Sequence, residues 1–242
     1  MSIIATFPPS ASDGLSSVPP SPVFHGDRRS VFREVSWDTY QSLARAQTEG
    51  HHLRLAYDGR DLEIMTVGYI HEVIKELVGL FVRAVLSWRE IAHVGSGEAT
   101  LHAVDAERGL QADLTYSFEP GKVLRAREAL ARNSTDPADY LSPDLAVEVD
   151  ISSSLIDRPA IYAALRMAEV WRVGRDRNVV IEQLQPDGSY APAAASRFLH
   201  VSAEEIHRWL TAEDVAREDA WYRRLNQWAM GLGPVAGVAN GI

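Results

Sequence analysis

The stretch that decides the fold is SPDLAVEVD, residues 142 to 150. Side chains alternate along a β-strand, so this segment predicts two different faces. One face carries apolar side chains and should enter a core, namely Leu145, Val147 and Val149. The other face carries three carboxylates, Asp144, Glu148 and Asp150, and the small residue Ala146 lies between the first two. Like charges held a few ångströms apart repel one another unless a positive group lies among them. A divalent metal ion is the candidate that this spacing suggests.

Composition limits the classes of protein to consider. The chain has 242 residues, 46% of them apolar, which fits one substantial globular domain with appendages. It has no cysteine, so any metal would be held by oxygen ligands or histidine. No apolar run approaches the length of a membrane helix, and no signal peptide is recognised, so we expect a cytoplasmic protein without a membrane partner. The formal net charge of −9 disfavours non-specific nucleic-acid binding unless basic groups cluster locally.

Three regions are expected along the chain. Residues 1–30 are rich in proline and serine and predict a poorly ordered arm. Residues 31–212 should form the main domain, and residues 213–242 a C-terminal helix and tail. This last helix is expected to pack on the domain, with a homodimer through it as the alternative.

Local patterns predict a mixture of helices and hairpins. Helices are expected after Ser36, from Tyr69 to Glu90, after Asp157 and after Ser202, where Glu205 completes a capping box. Hairpins are expected over residues 52–65 and 170–184, and one alternating strand over 110–118. No βαβ repeat is visible, so the predicted class is α/β in the mixed sense, an α+β domain.

The strand at 110–118 adds another carboxylate, Asp113, on its polar face. If this strand lies beside the acidic strand, Asp113 and Glu148 can bind one ion together. Mg²⁺ and Mn²⁺ prefer such oxygen ligands. A bound ion of this kind assists the hydrolysis of phosphodiester bonds.

Most of residues 33–212 resembles the Uma-type restriction endonucleases of the PD-(D/E)XK nuclease superfamily. The resemblance lies in the order and spacing of four segments: DGRDLEIM (58–65), ERGLQADLTYSF (107–118), SPDLAVEVDISSSLIDRPAIYAALRMAEVWRV (142–173) and SRFLHVSAEEIHRWL (196–210). It implies a restriction-endonuclease-like mixed β-sheet flanked by helices, and a Mg²⁺-dependent nuclease site.

The resemblance also implies roles for individual residues. Asp113 corresponds to the aspartate of the PD element, although Ala112 precedes it, and Glu148 corresponds to the acid of the (D/E)XK element. The lysine of that element is replaced here by Asp150. The basic group is expected on the next helix, at Arg158, which can neutralise phosphate charge but cannot readily give up a proton.

Other polar residues have competing interpretations. Asp144 follows Pro143 and is expected to cap backbone rather than bind metal. Asp150 is expected to support the site or to pair with Arg158. His71 and Lys75 share one face of the long helix and could reach a phosphate. For His71, a structural role is the favoured interpretation.

The leading hypothesis is therefore a Mg²⁺- or Mn²⁺-dependent endonuclease acting on DNA. Asp113 and Glu148 would hold the metal, with Arg158 as the third catalytic residue. One rival is a catalytically silent interaction protein with the same fold, favoured by Asp150 and the scarcity of lysine. Another is a metal-dependent hydrolase with a different substrate, because fold does not fix function.

Overall fold

Two β-sheets and six α-helices make up the protein in the computed structural model, which describes residues 27–47 and 53–235. The strands are β1 (Arg28–Phe32), β2 (Leu53–Tyr57), β3 (Leu62–Thr66), β4 (Val94–Gly95), β5 (Thr100–Ala103), β6 (Arg108–Gln111), β7 (Leu114–Ser117), β8 (Leu145–Asp150), β9 (Glu169–Gly174), β10 (Val179–Leu184) and β11 (Tyr190–Ala193). The helices are α1 (Trp37–Ala46), α2 (Tyr69–Trp88), α3 (Pro120–Ala131), α4 (Arg158–Ala164), α5 (Ala203–Leu210) and α6 (Glu218–Leu232). This architecture confirms the predicted mixed α+β class.

The two sheets differ in topology. The first has the order β1-β3-β2-β6-β5 and all its strand pairs are antiparallel. The second has the order β11-β10-β9-β8-β7-β4 and contains one parallel pair, β8 with β9. Parallel neighbours need a crossover connection, and α4 supplies it. The described part of the chain therefore contains a βαβ unit, β8–α4–β9, which the hairpin-based prediction missed.

Caps at the helix starts follow the sequence signals. The Ser36 side chain accepts the Thr39 amide at the start of α1, and Asp157 accepts the Ala160 amide at the start of α4. The capping box between Ser202 and Glu205 is formed at α5. Each of these side chains satisfies a backbone donor that the first helical turn leaves free.

The acidic strand β8 lies at the centre of the fold. Its apolar side chains Leu145, Val147 and Val149 enter the main core, as predicted, together with side chains of α2, α5 and α6. The opposite face is also covered, because Ala146 packs with Ile161 and Tyr162 of α4. Consequently Glu148 does not lie on a solvated face, whereas Asp150 at the strand end is half-buried. Glu148 is only 3% exposed.

Helix α6 packs on the domain. Trp221, Leu225 and Ala229 are fully buried in the main core, and the Trp228 ring lies 5.8 Å from that of Phe81 on α2. No helix among the described residues is long and apolar enough to cross a membrane.

Two boundaries differ from the sequence expectation. The single strand predicted over residues 110–118 is two strands, β6 and β7, which belong to different sheets. Polar and apolar residues alternate without a break from β6 to β7, but the chain passes from one sheet to the other at Ala112 and Asp113. Residues 28–30, assigned to the arm, belong to β1. Residues 1–26 of that arm and residues 236–242 of the tail lie outside the described residues.

Asp144 is used as a backbone cap. One of its carboxylate oxygens accepts the amides of Phe118 and Glu119 at 2.7 and 2.8 Å, and the other pairs with the Lys122 ammonium. The residue is 6% exposed. These bonds join the start of β8 to the start of α3, which agrees with the structural role expected for Asp144.

We therefore expect Asp144→Ala to lower the free energy of unfolding by about 2–4 kcal/mol, because two amides and one ammonium lose a buried partner. Urea denaturation measures this change. Asp219→Ala is the control, since Asp219 is largely exposed on α6 and its ion pair is with Arg223 of the same helix. Equal midpoints for the two variants would contradict the role of Asp144.

Candidate active site

Asp113 lies at the junction between the two sheets. The β7–β8 register pairs Leu114 with Val147, and its continuation by one residue places Asp113 opposite Glu148. Residues opposite each other in an antiparallel pair lie on the same face of the sheet. The predicted pair of carboxylates is thus brought together. Both are buried, Asp113 at 1% and Glu148 at 3% exposure.

Asp113 is surrounded by donors. One carboxylate oxygen lies 2.9 Å from His71 Nε2, and the other accepts the Val149 amide at 2.8 Å. Arg54 Nε lies 3.4 Å from the first oxygen. Burial would raise the pKa of Asp113, but the bond to His71, the Val149 amide and the charge of Arg54 outweigh it. The pKa of Asp113 is held below its ordinary value, so the group is ionised at neutral pH.

His71 is the middle of a buried chain of three groups. Its Nδ1 lies 3.0 Å from Asp27 and its Nε2 contacts Asp113. Burial would lower the pKa of His71, yet its bonds to the two aspartates raise it to about 9. The ring is therefore an imidazolium that donates to both carboxylates. His71 orients Asp113, which agrees with the favoured structural interpretation.

Glu148 has its own cationic partner. Arg158 donates to one carboxylate oxygen at 2.8 Å, and the Tyr162 hydroxyl donates to the other. Burial raises the pKa of Glu148, and the charge of Arg158 lowers it. The negative charges of Asp113 and Asp150 raise it further, so the pKa of Glu148 is about 7. Burial also raises the pKa of Tyr162 well above its ordinary value, so its hydroxyl stays protonated. Arg158 thus contacts Glu148 from helix α4, and its catalytic role stays a prediction.

Asp150 contacts different arginines from the one expected. Its carboxylate lies 3.5 Å from Arg29 and 3.6 Å from Arg172, and no direct pair with Arg158 is formed. Arg29 also pairs with Glu63, a 1% exposed residue of β3 that accepts the Leu155 amide. The negative charge at the lysine position therefore lies near two guanidinium groups, although each of them has a closer partner, Glu63 for Arg29 and Glu182 for Arg172.

A cleft of about 380 Å³ opens at the end of β8. Its lining includes Asp150, the serine run at 152–154, Arg158 and Arg172. Two guanidinium groups therefore face one open space next to the buried carboxylate of Glu148. Guanidinium groups match the oxygens of phosphate in geometry.

Lys75 pairs with carboxylates other than the two proposed metal ligands. Its ammonium pairs with Glu72 on the same helix and with Glu98 in the loop before β5. Arg54 reaches the same two glutamates. Lys75 therefore belongs to a charged cluster beside Asp113 and does not contact either proposed metal ligand.

Three other basic residues are engaged elsewhere. Lys122 pairs with Asp144, Arg125 donates to the carbonyls of Ala138 and Asp139, and Arg177 donates to the Leu210 carbonyl. None of these three lines the cleft.

Sequence reasoning missed several members of the site. Arg54 and Glu63 each interrupt an otherwise apolar strand, LRLAY and LEIMT, and that interruption was an available signal. Tyr162 follows Arg158 by four residues, so both lie on one helix face. Asp27 and Arg29 come from a segment with no comparable pattern.

The donor set suits a hard divalent ion. Asp113 and Glu148 supply oxygen ligands from adjacent strands, and Mg²⁺ commonly uses one or two carboxylates with retained waters. Within the described residues, however, no three His, Asp or Glu side chains converge as a ready metal site. The charges of Asp113 and Glu148 are compensated instead by Arg54, His71 and Arg158.

This two-sheet α+β architecture is consistent with a restriction-endonuclease-like fold. Residues 37–213 match the Uma2 family, described as putative restriction endonuclease. The chain belongs to that family, and the family indicates nuclease activity. No match is found among the curated proteins.

The pKa of His71 generates a test of the Asp27–His71–Asp113 chain. It is about 9 in the folded protein, against 6.5 for an ordinary histidine. The stabilisation by protonated His71 is complete below about pH 6.5 and is lost as the pH rises through about 9. Between these limits we expect the unfolding free energy of the wild type to fall on the order of 2 kcal/mol more than that of His71→Gln.

Urea denaturation at pH 6 and pH 9.5, with a chelator present, measures this difference. His93→Gln is the matched control, because its ring contacts a backbone carbonyl, that of Ile91. It should follow the pH dependence of the wild type. A His71→Gln variant that also follows the wild type would show that the ring is not charged in the folded protein.

Proposed function

We propose that the protein is a metal-dependent endonuclease that hydrolyses phosphodiester bonds of DNA in the cytoplasm. The observation that carries this proposal is the opposition of Asp113 and Glu148 across β7 and β8, with Arg158 bonded to Glu148. Membership of the Uma2 family supports the nuclease class.

Asp113 and Glu148 would hold Mg²⁺ or Mn²⁺. When bound, such an ion polarises a phosphoryl oxygen and lowers the pKa of water. Hydrogen bonds from the protein orient the two carboxylates. His71 and the Val149 amide orient Asp113, while Tyr162 and Arg158 orient Glu148.

Arg158 is assigned to phosphate binding. It remains protonated at any physiological pH and cannot serve as a general base. Its position on the lining of the cleft, beside Arg172, favours contact with a phosphate of the substrate. Arg158 would there supply the positive charge of the lysine that this chain lacks.

Asp150 does not by itself exclude activity. An aspartate in place of lysine would repel the phosphate if its charge were uncompensated. Arg29 and Arg172 both lie within 4 Å of its carboxylate and offset part of that charge, although each also pairs with a closer glutamate. The charge of Asp150 is therefore compatible with the proposed enzyme.

The rival hypothesis of a catalytically silent interaction protein is favoured by a different observation. Arg54, His71 and Arg158 already neutralise the two carboxylates without a metal. In that case the site would be a purely structural ion-pair network, and Mn²⁺ would bind no more tightly than to a protein surface.

Cleavage of supercoiled plasmid in Mg²⁺ or Mn²⁺ tests the proposal. We expect Asp113→Asn and Glu148→Gln each to reduce the rate at least about 100-fold, because each removes one charged metal ligand. Asp219→Asn and Glu204→Gln are the matched controls, since both residues are exposed on helices α6 and α5. They should cleave at the wild-type rate.

Equal cleavage by all five proteins would identify a contaminating nuclease and contradict the assignment. If the wild type does not cleave plasmid, single-stranded DNA or RNA, and does not bind Mn²⁺ in a calorimetric titration, the silent protein is the correct description. If Mn²⁺ binds but nucleic acids are not cleaved, small phosphodiesters and nucleotides should be tested, as expected for a hydrolase with another substrate.

A further inference from the structure

Arg54 lies among three carboxylates that come from three separate parts of the chain. Its side chain is 8% exposed. It lies 2.5 Å from Glu98, 3.4 Å from Asp113 and 3.8 Å from Glu72. One buried guanidinium therefore bridges a helix, a loop and the junction between the sheets.

The three contacts are unequal. Nη1 makes a hydrogen bond to Glu98. Nε is buried and has no hydrogen-bond partner, although the charge of Asp113 is 3.4 Å away. An unsatisfied buried donor is costly. Arg54 is therefore anchored at Glu98 and holds Asp113 by charge alone.

Glu98 is a good anchor for a cation. The hydrogen bond from Arg54 lowers the pKa of Glu98, and the bond from Lys75 adds to this effect. Partial burial acts in the opposite direction, and the pKa of Glu98 is about 2. Glu98 and Glu72 are also 44% and 40% exposed, so they lie on the solvent side of Arg54. A guanidinium that left Asp113 would find both of these carboxylates nearby.

We propose that Arg54 is a resident counter-ion that competes with divalent metal for Asp113. Binding of metal would require the guanidinium to withdraw from Asp113 toward Glu98 and Glu72. This inference rests on the proposed role of Asp113 as a metal ligand.

The physical reason is charge. A buried carboxylate needs positive charge nearby, and Arg54 supplies part of it to Asp113, beside His71, when metal is absent. A divalent ion placed beside the unmoved guanidinium would be repelled over a few ångströms in a medium of low dielectric constant. The same residue therefore stabilises the metal-free fold and weakens the affinity for metal.

Mn²⁺ titration of the full chain, followed by electron paramagnetic resonance, tests the proposal. We expect Arg54→Met, which keeps the length and removes the charge, to bind Mn²⁺ about tenfold more tightly than the wild type. The gain should disappear in Arg54→Met combined with Asp113→Asn. Arg83→Met is the matched control, because Arg83 is a half-exposed arginine paired with Glu76 on α2, and it should bind as the wild type does.

A folded Arg54→Met protein that binds Mn²⁺ with wild-type or weaker affinity would overturn the proposal. Should that variant not fold, the wild type itself provides the test by nuclear magnetic resonance of arginine Nε–H groups. Addition of Mg²⁺ should shift the Arg54 signal, assigned with Arg54→Lys, and leave the Arg83 signal unchanged. An unmoved Arg54 signal at saturating Mg²⁺ would refute withdrawal.

These outcomes are separable from those of the nuclease test. A wild type that does not cleave DNA, together with an Arg54→Met variant that gains Mn²⁺ affinity, contradicts the nuclease proposal alone. A wild type that cleaves DNA, together with an unchanged affinity in Arg54→Met, contradicts the role of Arg54 alone.

Discussion

Two buried carboxylates that face each other across neighbouring strands are the constraint on which the structure depends. Asp113 and Glu148 are almost fully removed from water, and each would be strongly destabilising if left unpaired. The protein meets this need with three cations from three places in the chain: Arg54 from β2, His71 from α2 and Arg158 from α4. The fold brings these segments together around the two acids.

The passage from β6 to β7 is the step that makes this arrangement possible. Because the chain changes sheets at Ala112 and Asp113, the carboxylate lies between the sheets and is within reach of β2 and α2. The parallel β8–α4–β9 unit then places Arg158 and Tyr162 over the end of β8. Arg158, which bonds Glu148, also lines the cleft at the end of β8.

The sequence predicted the elements whose signals are local. Ser36, Asp157 and the Ser202–Glu205 box marked three helix starts, and apolar spacing marked α2 and the faces of β8. The relation of Asp113 to Glu148 was predicted from resemblance and alternation, and the register agrees with their proximity. Their roles in metal binding stay predictions.

The partners of the acids could not be predicted in the same way. Arg54 lies 59 residues from Asp113 in the sequence, and Asp27, which reaches Asp113 through His71, lies 86 residues from it. Arg29 lies 121 residues from Asp150. No periodicity links such distant positions. Asp150 was expected to support the site or to pair with Arg158. Its carboxylate lies instead near Arg172, two residues from the position directly opposite it in the β8–β9 pair. Such ion pairs depend on the tertiary fold and not on local spacing.

Anomalous diffraction from crystals of the protein grown with Mn²⁺ tests the central claim most directly. The account predicts one strong peak within bonding distance of both Asp113 and Glu148, with the Arg54 guanidinium displaced toward Glu98. Crystals that show no peak there at saturating Mn²⁺, with Arg54 and Arg158 still on the two carboxylates, would contradict it.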